Sequence, residues 1–196
     1  MVKQNVCKKC RRESIKLFLK GERCNGAKCA VARRIDSKKT TTGRRGLVSS
    51  EYGHQLREKQ KVKSIYGISE KQLVIIFKKS LKAEGNTSEL VLQHLERRLD
   101  NIVYRLGFGK SRAEAKQMVS HGHIKVNKKK VNISSYELSV DDTISLGTKF
   151  ELVEAETPDW LKIDKKNKEG KVLELPTREQ IPSEVEEQLI IEFYSR

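Results

Sequence analysis

Apolar positions along the chain switch from helical to strand spacing about two thirds of the way through. Between Ser50 and Tyr66, Leu56, Val62 and Ile65 mark a helical stripe, and Gly67 is placed to stop it. Ser69 with Gln72 makes a capping box that opens a second helix. Its buried stripe is Leu73, Ile76, Phe77 and Leu81, and Gly85 ends it. Asn86, Thr87 and Ser88 offer caps for a third helix. Leu92, Leu95, Leu99, Ile102, Val103 and Leu106 give that helix one continuous apolar face at three-four spacing. After a turn at Gly107–Lys110, Ser111 with Glu114 caps a fourth helix carrying Ala115, Met118 and Val119, which Gly122 breaks. The period then shortens. Strands are expected at Ile124–Val126, Val131–Ile133, Thr143–Leu146 and Phe150–Val153, with turns at Asn127–Lys130 and Asp141–Asp142. Residues 1–45 hold few apolar positions and predict a loop-rich region. Asp164–Lys171 predicts an exposed loop. Ser183–Glu186 predicts a short capped helix followed by the apolar run Leu189–Tyr194. The fold class is α+β, mostly helical.

Composition narrows this picture. The chain is 36% hydrophobic and 34% charged, lean for a core but not a disordered composition. No run of about 18 apolar residues offers a membrane span, and Met1–Cys10 lacks the apolar stretch of a secretory signal. A soluble, intracellular protein with reduced thiols is therefore expected. The net charge of +15 is unevenly placed. Residues 1–63 hold 19 Lys/Arg against 5 Asp/Glu, and residues 97–130 hold 10 against 2. Residues 131–196 are acidic, with 8 against 15. Two strongly basic segments are the electrostatic footprint of nucleic-acid binding, because cations that neutralise phosphates release counterions. The alternative, a solvated surface with no partner, leaves the first segment repelling itself. The acidic tail must pack inward, face solvent or meet a basic protein.

The candidate RNA contacts are the polar and cationic residues of these two segments. In the first they are Lys8, Lys9, Arg11, Arg12, Lys20, Arg23, Lys28, Arg33, Arg34, Lys38, Lys39, Arg44, Arg45, Arg57, Lys59, Lys61 and Lys63. In the second they are Arg105, Lys110, Ser111, Arg112, Lys116, Gln117, His121, Gly122, His123, Lys125, Asn127 and Lys128. Arg112 and Lys116 lie four apart on one helical face, away from Ala115, Met118 and Val119. Lys125 and Asn127 alternate with Ile124 and Val126, so the polar pair faces outward. Helix and hairpin thus present one positive surface to RNA backbones, which are read by shape and phosphate. His121 and His123 fit hydrogen bonding to phosphate or ribose, and equally fit ordinary surface histidines at a turn.

All four cysteines fall early, as Cys7, Cys10, Cys24 and Cys29 in a C-x2-C-x13-C-x4-C pattern. The first pair places two thiolates on one side of a tight bend, and the second pair closes a tetrahedron. One structural Zn²⁺ is the expected occupant, since a segment this polar cannot fold by burial alone. Four unliganded thiols and an iron–sulfur cluster remain alternatives.

The run Ser111–Asn127 resembles the alpha-L RNA-binding motif. Arg98-Leu99-Asp100-Asn101-Ile102-Val103-Tyr104-Arg105-Leu106-Gly107-Phe108 is more specific, and resembles the universal S-four family of the bacterial small ribosomal subunit. Leu17–Cys24, Leu56–Val62, Ile65–Glu70 and Glu192–Arg196 agree with the same family, so the resemblance covers nearly the whole chain in order. It implies a primary rRNA-binding protein that docks early on a multi-helix junction in the RNA's 5′ domain and bears on translational accuracy. It implies three parts: a zinc-stapled basic region at 1–45, a helical domain at 46–96 plus 157–196, and an inserted alpha-L domain at 97–156. It places Arg44 and Arg45 near mRNA at its entrance. It turns Tyr52, Gln55, Glu192, Phe193 and Tyr194 toward the fifth small-subunit protein, with the third also nearby. It implies a cytoplasmic ribosomal location, no membrane and no small-molecule substrate. The family's zinc-bearing branch keeps cysteines at all four positions found here. Three departures stand out. Asp36–Thr42 replaces a Pro-Gly-Gln-His-Gly loop, Lys128 stands where the hairpin usually has glycine, and the segment around Lys149–Trp160 is short.

Two other classes compete. An RNA-modifying enzyme, such as a pseudouridine synthase or a tRNA synthetase, uses an alpha-L domain as a clamp but needs a separate catalytic domain. Here there is no phosphate-cradling glycine loop and no nucleophile paired with a base. A zinc-finger DNA regulator needs a recognition helix, and the cysteine spacing is not that of a finger. The chain is expected not to be an enzyme.

Overall fold

The computed structural model describes residues 6–13, 15–33, 50–147, 150–153, 156–181 and 185–195. Within them run the helices α1 (Val6–Glu13), α2 (Glu22–Asn25), α3 (Glu51–Tyr66), α4 (Glu70–Lys82), α5 (Thr87–Glu96), α6 (Leu99–Arg105), α7 (Arg112–Ser120) and α8 (Glu187–Tyr194). The strands are β1 (Ile124–Val126), β2 (Lys129–Lys130), β3 (Thr143–Leu146), β4 (Leu161–Asp164) and β5 (Glu169–Val172). The chain divides into two compact units, residues 1–70 with 185–196, and residues 71–184. Among the described residues no helix is long and apolar enough to cross a membrane.

In the first unit, the N-terminal region expected to be loop-rich forms α1 and α2 around the cysteines. Helix α3 spans the predicted stretch and stops at Gly67 as expected, with an N-cap at Ser50 that the sequence reading did not name. Gly53 N–H donates to Ser50 Oγ at 3.2 Å, and Gly67 takes the left-handed conformation at φ 61°. Helix α8 packs along α3. The apolar run at the C-terminal end is itself this helix, rather than an extension beyond one. Of the short helix expected at Ser183–Glu186, residues 183 and 184 lie outside the described residues, and Val185 and Glu186 are not helical.

In the second unit, α4 buries Leu73, Ile76 and Phe77 as expected, but Leu81 is 55% exposed. The stripe continues through Ser80, which donates its hydroxyl to the Ile76 carbonyl at 3.1 Å, so a polar residue takes the buried place. The single third helix expected from apolar spacing is two helices, α5 and α6. Arg98 breaks it with an extended backbone (φ −63°, ψ 137°) and bridges Glu137. Leu99 N–H donates to Tyr136 O at 2.8 Å, and Leu138 N–H to Arg97 O at 3.0 Å. The Arg98 guanidinium closes on buried Asp100 with two bonds of 3.0 and 2.7 Å. Apolar periodicity survives the break, which is why spacing alone concealed it.

The sheet is antiparallel throughout, in the order β2-β1-β3-β5-β4. The predicted β1 and β3 stand. The second strand is Lys129–Lys130, not Val131–Ile133. Phe150–Val153 is no strand; Val153 N–H bonds Gly107 O at 2.8 Å instead. The stretch expected as an exposed loop is largely the β4–β5 hairpin, so these residues belong to the sheet and not to the helical part. The hydrophobic core joins Leu99, Ile102, Val103 and Leu106 to Ala115, Val119, Ile124, Ile144, Trp160 and Val172.

The β1–β2 turn uses two residues, Asn127 at φ 47° and Lys128 at φ 67°. Such a turn matches strand twist but favours glycine at these angles. Lys128→Gly is therefore expected to stabilise residues 71–184 by up to ~1 kcal/mol. Urea unfolding midpoints check this, and a lower midpoint would deny the strain.

Candidate nucleic-acid interface and thiol cluster

Helix α1 carries Cys7 and Cys10 three residues apart, on neighbouring positions of one face. Cys24 sits on α2, and Cys29 lies buried just beyond it. All four line one cavity of about 20 Å³, together with Lys20, Arg23, Ala30 and Val31. That is room for a single small occupant. The sulfurs already receive backbone donors. Lys20 N–H points at Cys24 Sγ at 3.4 Å. Backbone hydrogen bonds at Ala32 and Val31 hold the Cys29 thiol below its ordinary pKa, helped by Lys16 and Arg23. Burial pushes Cys10 up against a backbone hydrogen bond at Leu17, and the other three cysteines push it further. Shared cavity, amide donors and flanking cations fit a thiolate-bound metal ion. Among the described residues, however, no group of three or more His, Cys, Asp or Glu is placed so as to hold a metal ion. Lys8, Lys9, Arg12, Lys20, Arg23, Lys28 and Arg33 are exposed around the cluster, and Arg11 is half-buried. Arg34, Lys38, Lys39, Arg44 and Arg45 lie outside the described residues.

On α3, only Arg57 of the expected RNA-facing cations is exposed. The structure pairs the rest with carboxylates of the protein itself. Lys59 and Lys61 are buried. Lys59 Nζ and Lys63 Nζ both bind Glu70, at 2.9 and 2.7 Å, while Lys61 Nζ meets Glu58 at 3.2 Å. Lys59 also lies 4.0 Å from the centre of the Phe193 ring. Burial raises the Glu70 carboxyl, but hydrogen bonds from Lys63, Tyr194 and Lys59 outweigh it and bring its pKa down to about 2. Burial and the hydrogen bond to Glu70 push Tyr194 up. Gln55 is buried too, and donates to Glu192 at 3.0 Å. The residues expected to face a protein neighbour thus first hold α8 to α3. Tyr52, 49% exposed and 5.6 Å from Phe193 between ring centres, is the part left open.

In the second unit several expected contacts also serve the fold. Arg105 forms a bidentate pair with buried Glu96, at 2.9 and 3.1 Å. Arg112 Nε donates to Asn101 at 2.8 Å, and its guanidinium lies 4.6 Å from the Tyr104 ring centre. Ser111 Oγ accepts from Glu114 N–H. Asn127 donates to Asp142 at 2.7 Å and accepts from Thr143 N–H at 3.0 Å, so its amide ties the turn to β3 instead of reaching outward. Gly122, at φ 71°, supplies the bend that brings β1 off α7.

The remaining polar groups of this segment face solvent. Lys110, Gln117, His121, His123, Lys125 and Lys128 are exposed, with half-buried Lys116 on α7. Lys125 pairs directly with Lys130 across β1 and β2. Opposed like charges cost stability in a sheet unless an anion meets them. Lys130 was missed as a site residue because only the pairing register puts it beside Lys125; its place in a Lys-Lys-Lys run was the available signal. Phe150, 4.8 Å from the His123 ring between centres, was missed because a strand was expected there.

A helix leading into a hairpin with these exposed cations fits a nucleic-acid-binding domain. Residues 97–144 match the S4 domain family, and residues 1–96 match the ribosomal protein S4/S9 N-terminal domain family. The chain is 52% identical over 202 residues to small ribosomal subunit protein uS4 of Halothermothrix orenii, covering 97% of each. It is 48% identical over 203 residues to small ribosomal subunit protein uS4 of Desulforapulum autotrophicum, covering 98% of this chain and 97% of that one. The chain belongs to the uS4 family of small ribosomal subunit proteins. These relatives are structural ribosomal proteins, which retires the enzyme and DNA-regulator readings.

Proposed function

We propose that this protein is a primary binder of small-subunit rRNA that docks early on a multi-helix junction of the 5′ domain. The observation that carries the reading is the α7–β1–β2 face, where Lys125 and Lys130 oppose each other beside Lys116, Lys128 and two histidines. A fold that accepts such repulsion gains when phosphates neutralise it. The exposed cations around the cysteine cluster supply a second contact region. Arg44 and Arg45 are assigned to the mRNA entrance, and through it to translational accuracy. The open Tyr52–Phe193 edge is assigned to the fifth small-subunit protein, with the third close by, in cytoplasmic ribosomes.

One Zn²⁺ held by Cys7, Cys10, Cys24 and Cys29 completes the reading. A four-thiolate site leaves no coordination position open, so the ion supplies cross-linking and no catalysis. The shared cavity and the amide donors to sulfur support it. Lys20 and Arg23 beside the cavity offset the thiolate charge. The function is tested by competition binding at equal salt. A small-subunit rRNA transcript is expected to displace duplex DNA from the protein, and preference for DNA would refute the assignment.

A further inference from the structure

Phosphate-facing cations explain a positive surface but not the rings set into this one. The His123 imidazole lies 4.8 Å from the Phe150 ring between centres, with the planes at 53°. His121 lies a further 6.0 Å from His123. Backbone hydrogen bonds hold the main chain at each of these residues. His121 closes α7, and His123 N–H returns to Met118 O at 3.0 Å. Gly147 N–H donates to His123 O at 3.2 Å, and Phe150 N–H to Gly147 O at 3.2 Å. Lys168 Nζ then holds Phe150 O at 2.6 Å. Both histidines are exposed, while Phe150 is half-buried against the core.

A cation belongs to the same cluster. A β-carbon built on Gly122 would run into Lys130 Cε, with Nζ 2.9 Å away. The Lys130 side chain therefore lies against Gly122, the residue that separates the two histidines in sequence. Residues 115–131 carry five lysines and no carboxylate of their own, with Asp142 reaching this stretch at Asn127, and this cationic excess favours a polyanion.

We propose that His121, His123, Phe150 and Lys130 form a site for one unpaired RNA nucleotide, its base stacked on His123 backed by Phe150 and its phosphate on Lys130. The inference rests on the RNA-binding reading above. Double-stranded RNA offers no free base to stack, so the bound RNA must present a loop, bulge or junction nucleotide here. Stacking on aromatic rings tolerates any base, because every base has a π-face.

The test measures affinity of the full-length protein for a small-subunit rRNA transcript at two salt concentrations. His123→Ala is expected to weaken binding by roughly tenfold or more, by the same factor at both salts, since stacking is not electrostatic. His123→Tyr is expected to keep wild-type affinity. Lys130→Gln is expected to weaken binding and flatten the salt slope by about one unit. The proposal is overturned if His123→Ala binds like the wild type, if its loss disappears at high salt, or if His123→Tyr loses as much as His123→Ala. Circular dichroism melts of the variants are expected to match the wild type, since His123 is exposed. Failure of the wild-type protein to bind the transcript would instead overturn the RNA-binding reading.

Discussion

Replacing Cys24 and Cys29 together by serine should abolish zinc binding and unfold residues 6–33. The effect is expected to be the largest in the molecule. A structural zinc supplies roughly 10–16 kcal/mol of apparent folding energy, and this region has little to set against its loss. Its buried apolar side chains are Leu17 and Val31 beside Cys10 and Cys29, while Lys8, Lys9, Arg12, Lys20, Arg23, Lys28 and Arg33 surround them exposed. Burial first, and the other three cysteines after it, push Cys10 up, so holding all four sulfurs as thiolates needs a cation among them. Metal analysis should find one zinc per wild-type chain and none in the variant. Amide exchange should become fast across residues 6–33 while residues 71–184 stay protected. Zinc-free wild-type protein with the same exchange pattern as wild type would reject the staple. A visible iron–sulfur absorption band would replace the metal.

The second large effect concerns the α7–β1–β2 face. Reversing Lys116, Lys125 and Lys128 to glutamate should weaken rRNA binding by roughly 4 kcal/mol, about a thousandfold. Lys125 and Lys128 are exposed and Lys116 is half-buried, so these changes leave the core side chains in place. Arg112 is the less informative target, although sequence spacing pairs it with Lys116. Its guanidinium is held by Asn101 and Tyr104, so reversing it would disturb packing as well as charge. Filter binding of the transcript reads the loss, and thermal melts should stay close to wild type. Undiminished affinity would show that this face does not meet RNA.

Local rules carried far in this chain. The cap at Ser111 and the glycines at 67 and 122 act where they were expected, because caps and left-handed glycines are decided within a few residues. What failed was decided at long range. The apolar face running through Leu95 and Leu99 looks like one helix, and only the distant segment around Glu137 shows why Arg98 breaks it. The β4–β5 hairpin is polar and short, and it becomes a strand pair because β3 offers it a partner edge. The same division holds at the site. Basic composition located the cationic segments, but it could not say which lysines turn inward. Lys59, Lys61 and Arg105 meet Glu70, Glu58 and Glu96, and these partners lie on helix faces that composition cannot see.

The central claim is that exposed cations on a folded frame hold small-subunit rRNA through its phosphates. Affinity for the rRNA transcript across a salt series tests it most directly. The account predicts that log K falls linearly with log salt, with a slope steeper than about −4, and that the Lys116, Lys125 and Lys128 reversal flattens the slope by about two to three units. A slope near zero, or one that the triple variant leaves unchanged, would contradict it.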